Sequence, residues 1–243
     1  MTELSVVMPV YNEAPIIGGV VADVTRRVLD VVADAELVMV DDRGTDGSSA
    51  ILAELVQLDP RYRLVVNAVN RGHGPSVLAG MAAADGTWIL QLDSDGQVDL
   101  GLFAELWARR DSFDLAAGVR VDRQDVRHRR MLSNVVNALA SVLAGHRVAD
   151  ANAPFKLVRR SLVEHLAIPP TTFAPSILLV VGALRSGARV EPVAVVHRPR
   201  QGGESSLGLG RLARAVVTAT PQTVRGGLRR TESYGDAQRT PRS

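Results

Sequence analysis

The sequence predicts an α/β architecture in which a mostly parallel central sheet is flanked by helices. Three observations point there. Short valine-rich apolar runs alternate with stretches whose apolar residues recur at helical spacing. Polar and acidic residues crowd directly behind those runs. A chain of 243 residues, 46% hydrophobic and 22% charged, carries enough apolar material to bury one sizeable core.

Leu4 to Pro9 is a valine-rich run closed by a proline and reads as a buried strand. Ile16 to Val32 has helical periodicity, and Glu36 to Val40 is a second strand ending in Asp41-Asp42. Ser48 to Leu58 reads as a helix, Leu64 to Val66 as a third strand, Ser76 to Ala84 as a helix, and Trp88 to Leu92 as a fourth strand ending at Asp93. The second half is less regular. It predicts a strand over Asp114 to Val119 and a helix over Met131 to Leu143 with Val135, Val136, Leu139 and Leu143 on one face. A strand from Phe155 to Val158, helices over Ser161 to Leu166 and Pro175 to Arg185, and a strand from Arg189 to Val196 follow. Gly202 and Gly203 punctuate the end of this unit, so residues 1–203 are expected to form the domain and 204–243 an appendage. In the appendage Leu209, Leu212, Ala213 and Val216 share a helical face opposite Arg211, Arg214 and Thr218. From Gly226 onward the polar, Arg- and Gly-rich composition predicts disorder.

The absence of cysteine excludes a disulfide framework, a thiolate zinc site and a cysteine nucleophile. No basic-then-apolar leader opens the chain, and the longest apolar run, Ile177 to Leu184, falls well short of the ~20 residues of a membrane-spanning helix. A cytoplasmic protein is the expectation. The net charge of +2 hides an asymmetry: nine arginines face three acidic residues from His197 onward, on a body with an acidic balance. A basic tail on an acidic body suggests contact with an anionic membrane at the inner face of the plasma membrane. Nucleic acid is not expected as a partner, because the tail lacks interleaved aromatics. Lys156 is the only lysine among 28 basic side chains, a bias that an arginine-favouring genome explains.

In parallel sheets ligands bind beyond the carboxyl ends of the strands. Those ends here carry Tyr11-Asn12-Glu13, Asp41-Asp42, Asn67 with Asn70, and Asp93 with Asp95. Asp93-Ser94-Asp95-Gly96-Gln97 offers two carboxylates one residue apart, oxygen ligands suited to Mg²⁺ or Mn²⁺, with the Gln97 amide as a neutral third. An isolated Asp-x-Asp is as readily a turn or a helix cap. Its place among other acidic strand ends favours a cation.

These segments together resemble family-two glycosyltransferases of the GT-A nucleotide-diphospho-sugar transferase fold. Ser5-Val6-Val7-Met8-Pro9-Val10-Tyr11-Asn12-Glu13 is similar to the family's opening strand, and Asp41 to Ser48 to its D-D-x-S-x-D-G-T motif. Asn70-Arg71-Gly72-His73-Gly74-Pro75 with Gly80, and Asp93 to Gln97, match the next two signatures. The likeness is nearest to dolichol- and polyprenyl-phosphate mannose or glucose synthases: Gly118-Val119-Arg120, Asp150 ahead of Phe155-Lys156, and Arg200-Gln201-Gly202-Gly203-Glu204-Ser205 stand in the corresponding order. It spans about Leu4 to Leu212.

The resemblance implies that Pro9, Tyr11, Glu13, Asp41 and Asp42 hold the nucleoside of a nucleotide sugar. Asn70, Gly72 and Gly74 then bring backbone to it, with Ser94 beside the metal pair; the alternative for the glycines is a plain turn opening a helix, and His73 reads as an exposed loop residue. Asp93, Asp95 and Gln97 would hold Mg²⁺ or Mn²⁺ against the leaving diphosphate. Arg120, Arg130 (or its neighbour Arg129) and Arg200 would bind phosphate, whereas Arg123 and Arg127 read as solvated. The catalytic set so implied is Asp93, Asp95, Asp150 and Arg200.

The expected reaction is inverting transfer of a hexose, from a GDP-mannose or UDP-glucose type of donor, to a polyprenyl phosphate. A hydroxyl acceptor in cell-wall or natural-product synthesis is the alternative, and a non-catalytic nucleotide-sugar-binding relative a third. Asp150 separates the first two. A hydroxyl needs a carboxylate base, whereas a phosphate is already anionic and leaves Asp150 free to orient an arginine. Three departures stand out: Gly44 replaces the usual serine, Pro154-Phe155-Lys156 the usual Gly-Phe-Arg, and Ser206 a frequent lysine. The Leu209 face, backed by arginines, could rest at a membrane interface or pack on the domain.

Overall fold

The computed structural model describes residues 2–121, 127–198 and 234. Seven strands, β1 (Leu4–Val10), β2 (Ala35–Asp41), β3 (Tyr62–Val66), β4 (Trp88–Leu92), β5 (Leu115–Val121), β6 (Phe155–Arg159) and β7 (Val190–Val196), form one sheet in the order β3-β2-β1-β4-β6-β5-β7. Every pairing is parallel except those of β6, which runs against both β4 and β5. The mostly parallel sheet expected from the alternation is therefore present, with one reversed strand.

All residues of β1, β2 and β4 are buried, as continuous apolar runs covered on both faces must be. Side-chain alternation splits them between two layers. Val6 and Met8 join Ile17, Val21 and Val24 of α1 (Ile17–Val24), Leu52 of α2 (Ser48–Leu55) and Phe103 of α4 (Phe103–Ala108) on one face. Val7 joins Val77 and Met81 of α3 (His73–Ala83), Ala140 of α5 (Arg127–Ala144), Leu162 of α6 (Arg160–Leu166) and Leu179 of α7 (Pro175–Arg185) on the other. α3 lies so near the sheet that a Cβ on Gly80 would stand 2.4 Å from Val7 Cγ1 and 2.9 Å from Val40 Cγ2.

Several local expectations are corrected. The first helix does not run to Val32: Thr25 to Leu29 form a π turn, with Asp30 N–H reaching Thr25 O, which lets adjacent Val28 and Leu29 both face the core. The third helix starts at His73 rather than Ser76, because Gly72 takes φ +86° and turns the chain into it early. The short α4 carried too little periodicity to be read. In α5 the buried face is Val136, Ala140 and Ala144, with Leu143 partly buried; Val135 and Leu139 stand exposed. The small alanines let α5 settle against α7, and that contact selects the face.

At the far end of the sheet Asp114 accepts a paired contact from Arg189 and a further one from Arg159. Tyr234, in the stretch expected to be disordered, is buried there: its N–H donates to Ser186 O at 2.9 Å and its hydroxyl meets Ser161 Oγ at 2.8 Å. The amphipathic stretch around Leu209 and the rest of the appendage lie outside the described residues.

Because the helix-to-sheet distance at Gly80 leaves no room for a methyl group, Gly80→Ala should lower unfolding stability by about 1–3 kcal/mol. Urea denaturation checks this; a wild-type midpoint would show that α3 does not sit at this spacing.

Candidate active site

Six strands run in one direction, so their carboxyl ends open on the same edge, and the reversal of β6 brings its amino end there too. The predicted site residues of the described chain gather on this edge. Pro9 is the exception in detail: it lies inside β1, paired with Val40, just short of the rim where Tyr11 is exposed.

The loops after β1 and β2 are knitted together. Asn12 adopts φ 57° and its Oδ1 accepts the Thr45 N–H at 2.7 Å. A Cβ at position 44 would stand 2.9 Å from both Asn12 N and Asn12 Oδ1, so glycine in place of the usual serine is what this crossing admits. Asp46 accepts Ser48 Oγ–H, Ala14 N–H and Ser48 N–H. Burial alone would raise its pKa, but these bonds hold it below the ordinary carboxylate value. Ser48 Oγ in turn accepts the N–H of buried Glu13.

Asp41 and Asp42 are both buried, and both shape backbone. Asp41 Oδ1 accepts Arg43 N–H, and its carbonyl accepts Asn67 N–H. Asp42 receives Asn67 Nδ2 and Arg71 N–H on Oδ1 and Gly72 N–H on Oδ2, each at 2.8 Å. The loop carrying exposed Asn70 is thus folded around the Asp42 carboxylate. Gly74 serves a different neighbour from the one expected. A Cβ there would stand 2.2 Å from Phe173 O and 2.5 Å from Thr172 O, so its missing side chain admits the segment leading into α7.

Beyond β4, Asp93 Oδ1 is buried with no hydrogen-bond partner among the described residues, and His73 Nε2 stands 3.5 Å away. Buried Ser94 follows, and Gly96 at φ +66° makes the turn in which Asp95 Oδ1 accepts Gln97 N–H at 3.1 Å. Gln97 is pinned to the end of β7: its Nε2 donates to Arg198 O at 2.8 Å and its carbonyl accepts Arg198 N–H at 2.7 Å. Among the described residues no group of three or more His, Cys, Asp or Glu side chains is arranged to hold a metal. An orphaned carboxylate oxygen nevertheless fits a hard cation that takes its other ligands from phosphate and water, as Mg²⁺ does with one or two carboxylates.

Asp150 and Arg120 form the opposite side. Arg120 clamps the buried carboxylate with Nε to Oδ2 at 2.8 Å and Nη2 to Oδ1 at 2.9 Å, a bidentate pair. Beneath them Lys156 is fully buried on β6, its Nζ donating to Ala153 O at 2.5 Å. Burial pushes its pKa down to about 8; Asp150 and Asp93 pull the other way, while Arg120 adds to the depression. One ammonium therefore underlies the carboxylates of both sides.

His73 and Lys156 are the residues that sequence reading missed. His73 looked like loop because α3 starts earlier than expected. A single lysine in an otherwise all-arginine chain was a legible signal for the other: a compact ammonium fits a sealed slot that a guanidinium does not match in shape. The side chain of Arg130, and Arg200, lie outside the described residues.

The sequence model of the family described as Glycosyl transferase family 2 matches residues 5–167. Curated relatives include two undecaprenyl-phosphate 4-deoxy-4-formamido-L-arabinose transferases. That of Edwardsiella ictaluri (strain 93-146) is 29% identical over 229 residues, 90% of this chain and 69% of the relative. That of Enterobacter sp. (strain 638) is 27% identical over 230 residues, 90% and 68%. Among solved structures, glucosyl-3-phosphoglycerate synthase from Mycobacterium tuberculosis, bound to Mn²⁺, UDP and glucosyl-3-phosphoglycerate, superposes with TM-score 0.66 at 18% identity over 91% of this chain and 80% of that one. S. aureus TarS 1–349 superposes with TM-score 0.60 at 18% identity, covering 81% of this chain and 60% of that one. The structural neighbours carry the GT-A fold, and the curated relatives are named for 4-deoxy-4-formamido-L-arabinose rather than mannose or glucose.

The depressed Lys156 pKa makes a signed prediction. A lysine whose folded pKa lies below its unfolded value of 10.5 costs stability while charged in both states, and that cost fades as pH rises from about 8 to 10.5. The stability of Lys156→Met relative to wild type should therefore fall across that range by up to ~3 kcal/mol. Paired denaturant titrations measure it; a pH-independent difference would place the ammonium in contact with solvent.

By its match over residues 5–167, the chain belongs to glycosyl transferase family 2.

Proposed function

We propose that this family-two glycosyltransferase moves a sugar from a nucleotide-sugar donor to a polyprenyl phosphate, by single displacement with inversion at the anomeric carbon. The observation that carries the choice of acceptor is the commitment of Asp150 to Arg120 in a buried, bidentate pair. A hydroxyl acceptor needs a base within reach of its proton. A carboxylate held on a guanidinium is a poor base, since the cation stabilises its unprotonated form. A phosphate monoester arrives already deprotonated, and what it requires is a cation to meet it. Arg120, pre-set by Asp150, supplies that.

On the donor side the orphaned Asp93 Oδ1, with Asp95 and Gln97 behind it, would hold Mg²⁺ or Mn²⁺. When bound, the cation neutralises charge gathering on the diphosphate. The loops stapled by Asp42 and Asp46 form the nucleoside side, where Tyr11 and Asn70 are exposed. In the displacement an acceptor phosphate oxygen forms a bond to C1 as the bond from C1 to the diphosphate oxygen breaks, and the nucleoside diphosphate leaves with the electron pair. No proton needs to move. The mycobacterial neighbour, solved with Mn²⁺ and UDP, supports the metal reading, and the relatives named for undecaprenyl-phosphate transfer support the acceptor. The donor is of the GDP-mannose or UDP-glucose type or carries a 4-deoxy-4-formamido-L-arabinose, as the relatives' names suggest; the reaction is the same for each.

A thermal-shift panel of GDP-, UDP- and dTDP-sugars with and without Mn²⁺ should show stabilisation by one donor class, with the metal-dependent part lost in Asp93→Asn. In transfer to polyprenyl phosphate, Asp150→Asn should raise the acceptor KM about tenfold or more while kcat falls less than about tenfold. Loss of a general base costs 10²–10⁴-fold. A kcat loss of that size with donor binding intact would favour a hydroxyl acceptor instead.

A further inference from the structure

We infer that Thr172 and Phe173, in the segment leading into α7, form the wall that holds the sugar ring of the donor, an inference that deepens the proposed function and rests on its donor side. Among the described residues three buried side-chain atoms have no hydrogen-bond partner, and two of them, Asp93 Oδ1 and Thr172 Oγ1, belong to this edge of the sheet. The segment is anchored beside Asp93 from two directions. The Thr172 and Phe173 carbonyls abut Gly74, whose neighbour His73 stands 3.5 Å from Asp93 Oδ1. Ser176 Oγ donates to Gln91 Oε1 at 3.1 Å, and Gln91 lies two residues before Asp93 at the end of β4. Burial along the segment leaves one side chain facing outward: Thr172, Ala174, Pro175 and Ser176 are buried, and Phe173 between them is 41% exposed.

An aromatic ring on a fixed backbone beside a hydroxyl that lacks a partner is complementary to a sugar. A phenyl face packs on the C–H face of a pyranose, while the ring substituents demand hydrogen bonds. A buried hydroxyl left unpaired is costly to keep. A ligand that satisfies it is selected over analogues lacking the matching group. Phe173 makes the contact with the ring, and the Thr172 hydroxyl gains its missing bond from a ring substituent as the Phe173 side chain moves to meet it. Position selects the sugar over the prenyl chain. Arg120 and Asp150, which the acceptor phosphate would meet, lie across the site on β5 and in the loop before β6. Phe173 stands on the side of His73 and Asp93, where the diphosphate would be held.

Calorimetry on the full chain with Mn²⁺ separates the sugar from its nucleotide, with UDP, GDP, UDP-glucose, GDP-mannose and UDP-L-arabinose as probes. For the sugar nucleotide that wild type binds, Phe173→Ala should weaken affinity about fivefold or more and Phe173→Tyr should retain it, while affinity for the matching diphosphate changes less than about twofold. Thr172→Val keeps the side-chain shape and deletes the unpaired hydroxyl. It should raise the thermal midpoint of the unliganded protein and weaken the sugar nucleotide about tenfold or more. Equal losses for diphosphate and sugar nucleotide, or no loss for either, would overturn the proposal. So would a wild type that binds none of the three sugar nucleotides. A raised acceptor KM in Phe173→Ala with donor affinity unchanged would overturn it likewise and assign the ring to the prenyl chain. Binding is read here without acceptor. If sugar-nucleotide affinity depends on Phe173 and Thr172 but nothing is transferred to polyprenyl phosphate, the acceptor reading fails and the sugar wall stands.

Discussion

The parallel register of β1 with β2 on one side and β4 on the other is the constraint from which everything else follows. These strands are buried on both faces, so no side chain along them can serve chemistry without losing core. Function is pushed to their ends, and shared direction puts those ends on one edge. The sheet then needs helices on both sides close enough to seal it, which Gly80 permits for α3.

On that edge the acidic residues divide by what they already bind. Asp42, Asp46 and Asp150 each receive several hydrogen bonds from their own chain, and their negative charge is spent on shaping loops or aiming an arginine. Asp93 differs, since one of its oxygens is shielded from water and unsatisfied. An acidic cluster read as composition would treat all of these alike. The hydrogen-bond inventory separates the scaffold from the group that still wants a cation.

The fold was legible wherever burial was total. Continuous apolar runs named β1, β2 and β4 nearly to the residue, because such strands leave no alternative periodicity. The reversal of β6 was not legible, since strand direction is written in tertiary pairing rather than in five residues of sequence. For the site, ordered motifs located the edge. They did not say that Gly74 answers to Phe173, that Asp42 answers to Arg71 and Gly72, or that α5 turns Val135 outward. Each of those depends on a neighbour distant in sequence. The amphipathic pattern of α5 was visible, but its buried side was chosen by small residues fitting α7, a matter of volume that hydrophobicity alone does not encode.

Lys156 is the only lysine in the chain, and the structure seals it from solvent. Every positive side chain that meets water is consequently a guanidinium or an imidazole. The native surface offers acylating chemistry no ε-amino group, and enzymes that tag such amines would find a target only after the sheet has opened. The positive character of the exterior is accordingly fixed against acetylation, while its one acetylatable side chain reports whether the interior is intact.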